Sequence, residues 1–263
     1  MIWSFKEHIL EQKTITEIRN ELKKTDVRSL DAFISAYKSD ERNGVRQLLA
    51  QAEKKILAYQ KELDRVHKML TFERQHCTDG RIVCGIDEAG RGPLAGPVVA
   101  AAVILDMNDP ILYVNDSKKL SHTKREELFE EIMERAVSVG IGAASPERID
   151  SINILQADYE AMREAFQALS PEPDTLLNDA VTIPDIQKQQ ISIIKGDAKS
   201  LSIAAASIVA KVTRDRLMVS FDEIYPQYGF AKNKGYGTAD HIAALRKYGP
   251  CPIHRRSFIG NFI

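Results

Sequence analysis

The 263-residue chain is poor in cysteine. Cys77, Cys84 and Cys251 are too few and too widely spaced for a disulfide framework, and no Cys-x-x-Cys pair announces a zinc site. Reduced thiols are expected. Long hydrophobic runs are also missing: no apolar stretch reaches the roughly 18 residues that span a bilayer. The start, Met1-Ile2-Trp3-Ser4-Phe5-Lys6-Glu7, lacks the basic segment, apolar run and small-residue cleavage site of a signal peptide. Together these exclude a helical membrane protein and make a cytoplasmic location the expectation. Net charge is nearly absent at −1, which excludes binding a polyanion by bulk charge alone. Internal repeats and low-complexity tracts are absent as well. What remains is 44% hydrophobic and 28% charged, the balance of a globular protein with a real core. The length suits one large domain, or an ordinary one with a small companion.

Charge is unevenly distributed. Residues 187–256 hold 12 Lys and Arg against 5 Asp and Glu, a local footprint for a polyanion or, alternatively, a solvated helical face. Residues 1–75 look helical and separate. Thr14-Ile15-Thr16-Glu17 has the capping-box spacing, Leu30, Phe33, Ile34 and Tyr37 suggest a second helix, and a long third follows Asn43-Gly44. A three-helix unit of this size has a thin core, and its role stays open between substrate contact and packing.

From Arg81 the pattern turns to β. Ile82–Ile86, Val98–Leu105 and Val137–Ala143 read as three successive strands, a meander opening a sheet. Helices are expected over Thr123–Arg135, with Glu126 closing a capping box, and over Leu155–Leu169. Short strands are expected over Thr175–Ile183 and Ile191–Ile194, then a long helix over Ser202–Met218 and another over Ala239–Tyr248. Strands alternating with helices give an α/β sheet covered by helices, a domain over residues 81–263.

The first strand ends in Asp87-Glu88 and runs into Ala89-Gly90-Arg91-Gly92-Pro93-Leu94-Ala95-Gly96-Pro97. Neighbouring strand residues point to opposite faces, so two adjacent acids share a site only where the strand is ending. Two-metal phosphodiester hydrolysis needs a carboxylate cluster that holds two divalent cations about 4 Å apart, and hard oxygen ligands suit Mg²⁺ or Mn²⁺. Two acids cannot hold two such ions. Asp179, in the apolar run Leu176-Leu177-Asn178-Asp179-Ala180-Val181, and Asp197, after Ile191–Ile194, are the further candidates. For Asp197 the alternative is a helix N-cap. Asp215 is a rival fourth acid, although a helix-surface ion pair is its simpler reading.

The opening run resembles the signature of ribonuclease HII. So do Asn115-Asp116-Ser117-Lys118-Lys119-Leu120, Lys195-Gly196-Asp197, the stretch from Ala205 to Asp215, Lys234-Gly235-Tyr236-Gly237-Thr238 and His254-Arg255-Arg256-Ser257-Phe258. The resemblance spans about Arg81 to Ile263. It implies a ribonuclease H-like fold with a mixed central sheet flanked by helices. It also implies an endonuclease that cuts the RNA strand of RNA–DNA hybrids and cuts 5′ to single ribonucleotides in duplex DNA, leaving 5′-phosphate and 3′-hydroxyl ends, as in ribonucleotide excision repair. By the same resemblance Asp87, Glu88, Asp179 and Asp197 hold the two Mg²⁺ or Mn²⁺ ions. The backbone of Gly90, Arg91 and Gly92 reads the ribose 2′-hydroxyl, the group that separates RNA from DNA; a plain tight turn is the alternative. Tyr236 packs on the neighbouring deoxyribose, a core or surface aromatic being its alternative. Ser117, Lys118, Ser207 and Lys211 contact phosphate. A monomer without membrane contact is expected.

Two departures stand out. Asn178-Asp179-Ala180 replaces the apolar residue and glycine that flank this acid in many relatives, and residues 1–75 carry no strong motif. The rival readings are a ribonuclease HIII-like enzyme, which usually carries a β-rich N-terminal domain, and a catalytically silent hybrid-binding module. A glycine-rich nucleotide-binding loop is disfavoured: Gly90, Gly92 and Gly96 give G-x-G-x-x-x-G, and two acids beside it would repel a phosphate.

Overall fold

The structure, a computed structural model, describes residues 13–78 and 80–263; the opening segment Met1–Glu7 lies outside them. Internal contacts divide the chain into Met1–Arg65 and Val66–Ile263. In the first unit Thr14 accepts from the Glu17 amide while the Glu17 carboxylate accepts from the Thr14 amide, and this box starts α1 (Ile15–Lys24). α2 (Leu30–Tyr37) and α3 (Asn43–Met69) follow. Their apolar stripes close over a small core of Ile18, Leu22, Leu30, Phe33, Val45, Leu48 and Ala52. α3 carries the chain past the division.

The second unit begins with the end of α3 and α4 (Thr71–His76), then β1 (Val83–Ala89), β2 (Val98–Ile104), α5 (His122–Arg135) and β3 (Ser138–Ala144). α6 (Pro146–Ile152), α7 (Ile154–Gln167), β4 (Thr175–Asp179) and β5 (Gln189–Ile193) precede α8 (Leu201–Ile224). α9 (Phe230–Asn233), α10 (Ala239–Tyr248) and α11 (Arg256–Ile259) complete it. The described sheet has order β3-β2-β1-β4-β5. β1, β2 and β3 form the antiparallel meander, while β4 pairs parallel with both β1 and β5.

β2 reads Val-Val-Ala-Ala-Ala-Val-Ile and is buried at every position, the pattern of a strand covered on both faces. Its alternation serves two cores. Ala101 and Val103 pack with α5 and α8, whereas Ala100 and Ala102 pack with α6 and α7.

Several expected boundaries move. β1 runs on to Ala89, so Asp87 and Glu88 lie within its last pairs with β2, opposite Ala101 and Ala100. Ser121, not Thr123, caps α5 by accepting from the Lys124 amide, and Glu126 bonds Arg216 instead of closing a box. A separate helix, α6, opens on Pro146 after the Ser145 cap. α8 continues six residues beyond Met218, to Ile224.

Candidate active site

β1 and β4 run parallel with Ile86 opposite Asn178, so one step further Asp87 stands beside Asp179 at the carboxyl ends of both strands. That end of a parallel pair is where open α/β sheets place their sites. Asp179 Oδ1 accepts from the Gly196 amide at 2.8 Å, tying the end of β4 to the turn that carries Asp197. Asp197 lies in a short 3-10 turn, and α8 is capped instead by Ser200, which accepts from the Ile203 amide. The N-cap alternative for Asp197 therefore does not hold.

Although alternation would part neighbouring strand residues, the Glu88 carboxyl comes back within hydrogen-bonding reach of Asp87. Asp87, 5% exposed, meets Ser207 of α8, while Glu88 turns towards Arg91, 3.7 Å away. Burial, then the Glu88 charge, pushes the Asp87 carboxyl well above the usual range. Burial also raises Glu88, against the opposing pull of Arg91 and with a smaller repulsion from Asp179, and it raises Asp197, with Asp116 and Asp179 adding to it. Like charges crowded in low dielectric disfavour the ionised form. Among the described residues no three His, Cys, Asp or Glu side chains are gathered to hold an ion as they stand; Asp197 instead faces Lys118 Nζ at 3.8 Å. The donor chemistry nonetheless fits a hard divalent cation: carboxylate oxygens only, mutually repelling, and short of positive charge.

The glycine turn is built differently. Arg255, fully buried, donates from Nε to the Gly96 carbonyl (2.9 Å), from Nη1 to that of Arg91 (3.0 Å) and from Nη2 to that of Gly90 (2.6 Å). Arg214 donates likewise to the carbonyls of Pro97, Ala95 and Lys234. The turn's acceptors are thus drawn inward onto two guanidiniums. Gly90 has φ +99°, and a Cβ there would sit 2.0 Å from Arg214 Nε. Burial brings Arg255 down to about 9, with the Arg214 charge adding to the effect.

Tyr236 is 45% exposed, with the Arg214 guanidinium carbon 6.0 Å from its ring centre. The Leu94 amide donates to the carbonyl of Gly235, so the tyrosine's loop is laced to the glycine turn. Gly235 has φ +83°, and a Cβ there would lie 2.3 Å from the Ala95 carbonyl oxygen. Ser117 and Ser207 are buried and share a 2.8 Å hydrogen bond beside Asp87. Lys211 is held by Asp215 at 2.7 Å, so Asp215 is ion-paired, but at 6% exposed it is buried and not on the helix surface.

Sequence reasoning passed over Asp158, Arg214, Arg255 and His241. Asp158 is fully buried on α7, and neither carboxylate oxygen has a hydrogen-bond partner. Arg91 Nε stands 3.5 Å from it, so that arginine lies between Glu88 and Asp158. Burial, then Glu88, lifts Asp158 to about 8. An acid inside an otherwise apolar helical stripe, Ala157, Ala161, Met162 and Ala165, was the available signal.

The mixed five-stranded sheet, with acids where β1 and β4 end side by side, defines a ribonuclease H-like α/β protein. The family model for Ribonuclease HII matches residues 84–261, and that for the Ribonuclease HII N-terminal domain matches 14–77. The ribonuclease HII of Lachnoclostridium phytofermentans is 58% identical over 247 residues, 94% of this chain and 97% of that protein. That of Clostridioides difficile is 48% identical over 255 residues, 97% and 100%. The crystal structure of ribonuclease H2 from Pyrococcus horikoshii matches with TM-score 0.56 at 29% identity, covering 67% of this chain and 93% of that one. The chain belongs to the ribonuclease HII family. Its helical N-terminal match sets aside the ribonuclease HIII alternative.

Proposed function

We propose that the chain is an endonuclease that hydrolyses the RNA strand of RNA–DNA hybrids and cuts 5′ to single ribonucleotides in duplex DNA, using Asp87, Glu88, Asp179 and Asp197 to hold two Mg²⁺ or Mn²⁺ ions. The observation that carries this reading is the adjacency of Asp87 and Asp179 at parallel strand ends, with Glu88 and Asp197 within electrostatic reach. Buried acids with no sufficient counter-charge are costly unless they bind a cation. When bound, the ions supply an activated water and neutralise charge on the leaving 3′ oxygen.

The chain's own residues divide the remaining work. Asp87, buried and braced by Ser207, keeps one carboxylate fixed in place. Asp179 holds the Gly196 turn, which sets where Asp197 stands. Gly90, Arg91 and Gly92 present backbone amides, the carbonyls of Gly90 and Arg91 being taken by Arg255, and an outward amide suits a 2′-hydroxyl oxygen. Tyr236 offers a half-exposed ring to the next sugar, while Lys118 and Lys211 meet phosphates, with Ser117 and Ser207 as supporting hydrogen-bonding groups.

The test is a labelled DNA duplex containing one ribonucleotide, beside an RNA–DNA hybrid and an all-DNA duplex, with Mg²⁺ or Mn²⁺. Cutting 5′ to the lone ribonucleotide and along the hybrid, with the DNA duplex intact, is expected. Binding without cutting under either metal would leave the silent-module reading standing instead.

A further inference from the structure

Behind Tyr236 lie two histidines that the mechanism above does not use. His241 on α10 and His254 are 0% and 1% exposed. His241 Nδ1 lies 2.9 Å from the Tyr236 carbonyl oxygen, and its Nε2 lies 3.0 Å from His254 Nε2. His254 Nδ1 in turn lies 3.0 Å from the Cys251 amide nitrogen and 3.1 Å from the Cys251 Sγ.

These contacts allow one arrangement of protons. A carbonyl only accepts, so His241 Nδ1 carries a hydrogen. A backbone amide only donates, so His254 Nδ1 carries none. The bond between the rings needs one hydrogen, and with both rings neutral it sits on His254 Nε2. The chain is therefore directional: Cys251 donates to His254, His254 to His241, and His241 to the Tyr236 carbonyl. An extra proton on His241 would set two N–H groups against each other, and one on His254 would oppose the Cys251 amide. Burial lowers both rings below the ordinary histidine value, His254 to about 4 with the His241 charge adding to it, in keeping with a neutral pair. Tyr228 and Phe230 wall the pair, with ring centres 4.8 to 6.4 Å from the imidazoles.

We propose that His241 and His254 are positioning residues for substrate recognition: with Cys251 they form a one-way hydrogen-bond chain that fixes the backbone of Tyr236 and couples it to the glycine turn. This rests on the reading of Tyr236 as the sugar contact. The chain grips the carbonyl and leaves the ring free. The same carbonyl takes the Thr238 amide at 2.8 Å, and the Tyr236 amide donates to Asn233, so the backbone is fixed on both sides. The coupling comes from the other end. His254 bridges Ala95 in a strand-like pair, the Arg255 amide donates to the Leu94 carbonyl, and the Arg255 side chain holds Gly90 and Arg91. One short segment, Cys251 to Arg255, therefore sets both recognition elements.

Nitrogen-15 NMR of histidine-labelled full-length protein at neutral pH reads the tautomers directly. His241 should be the Nδ1–H form and His254 the Nε2–H form; the reverse pair, or an imidazolium, overturns the proposal without any variant. In the second measurement, His241→Leu removes the donor, while His241→Asn keeps a nitrogen donor near the position of Nδ1. On a duplex with a single ribonucleotide, His241→Leu should lose about tenfold in kcat/KM through KM, about one stacking contact's worth. His241→Asn should recover most of that loss, and the kcat on a long hybrid should stay within about twofold for both. Equal losses in the two variants, or on the two substrates, overturn the proposal. Tyr236→Ala separates the layers. If it spares the preference for the lone ribonucleotide, the reading of Tyr236 fails and the positioning role with it. If it removes that preference while His241→Leu does not, only the positioning role fails.

Discussion

The two walls of the proposed site, one of acids and one for recognition, are held by opposite means. On the acid wall, Asp87, Glu88 and Asp197 are crowded until burial and mutual repulsion raise their proton affinity, and Asp158 behind them has no hydrogen bond at all. On the recognition wall, six backbone carbonyls are taken by Arg214 and Arg255, and a seventh by His241. One wall is short of partners and the other is saturated with them. The difference teaches which part awaits a ligand. A surface that reads shape must keep its shape without substrate, whereas a site that binds cations must be uncomfortable without them.

The hardest blow to the contrast falls on the acids. Asp87→Asn or Asp179→Asn should lower single-turnover cleavage under Mg²⁺ by about 10³-fold or more, while hybrid binding measured by anisotropy survives. Retained turnover in both would sink the metal assignment. On the other wall, Arg255→Met leaves the carbonyls of Gly90, Arg91 and Gly96 without their donor. The expected cost is on the order of 3 kcal/mol in denaturant unfolding, with loss of ribonucleotide preference. A cost below about 1 kcal/mol would mean that the turn holds itself.

Acid should act on the two walls with opposite sign. The folded state keeps His254 neutral down to about 4, whereas an unfolded chain protonates it near 6.5. The unfolded state binds more protons between those values, so this contribution falls as pH drops from about 6.5 towards 4 and is flat above. The raised carboxyls Asp87, Asp158 and Asp197 slope the other way. The stability difference between wild type and His254→Gln isolates the histidine, and a difference that is flat across that window would contradict a neutral buried pair. The smallest effect belongs to Lys118, whose side chain is 79% exposed. Lys118→Ala should reduce the slope of log affinity against log salt by about one, as for one lost phosphate contact. An unchanged slope would leave the lysine to Asp197 alone.

Much of the acid wall was legible in the sequence. Asp87-Glu88 at the end of an apolar run and Asp179 inside another stand out because carboxylates are rare in such places, and the meander and flanking helices follow from periodicity. The saturating partners were not legible. Arg214 and Arg255 reach the turn across 117 to 165 residues, and a side chain that bonds distant carbonyls leaves no periodic trace. His241 reads as an ordinary helical residue until α10 is set against His254. Glu126 shows the converse: its spacing from Thr123 matched a capping box, but Ser121 caps α5 and Arg216 takes the glutamate.

The Arg255 clamp also has a bearing on the order of events during synthesis. Gly90 leaves the ribosome 165 residues before the arginine that shapes its turn. Every strand of the described sheet, and each of Asp87, Glu88, Asp179 and Asp197, is made before that arginine. A nascent chain can therefore carry the carboxylates of a nuclease before it has the turn that we propose selects what they cut, and on that reading selectivity comes after the means of cutting.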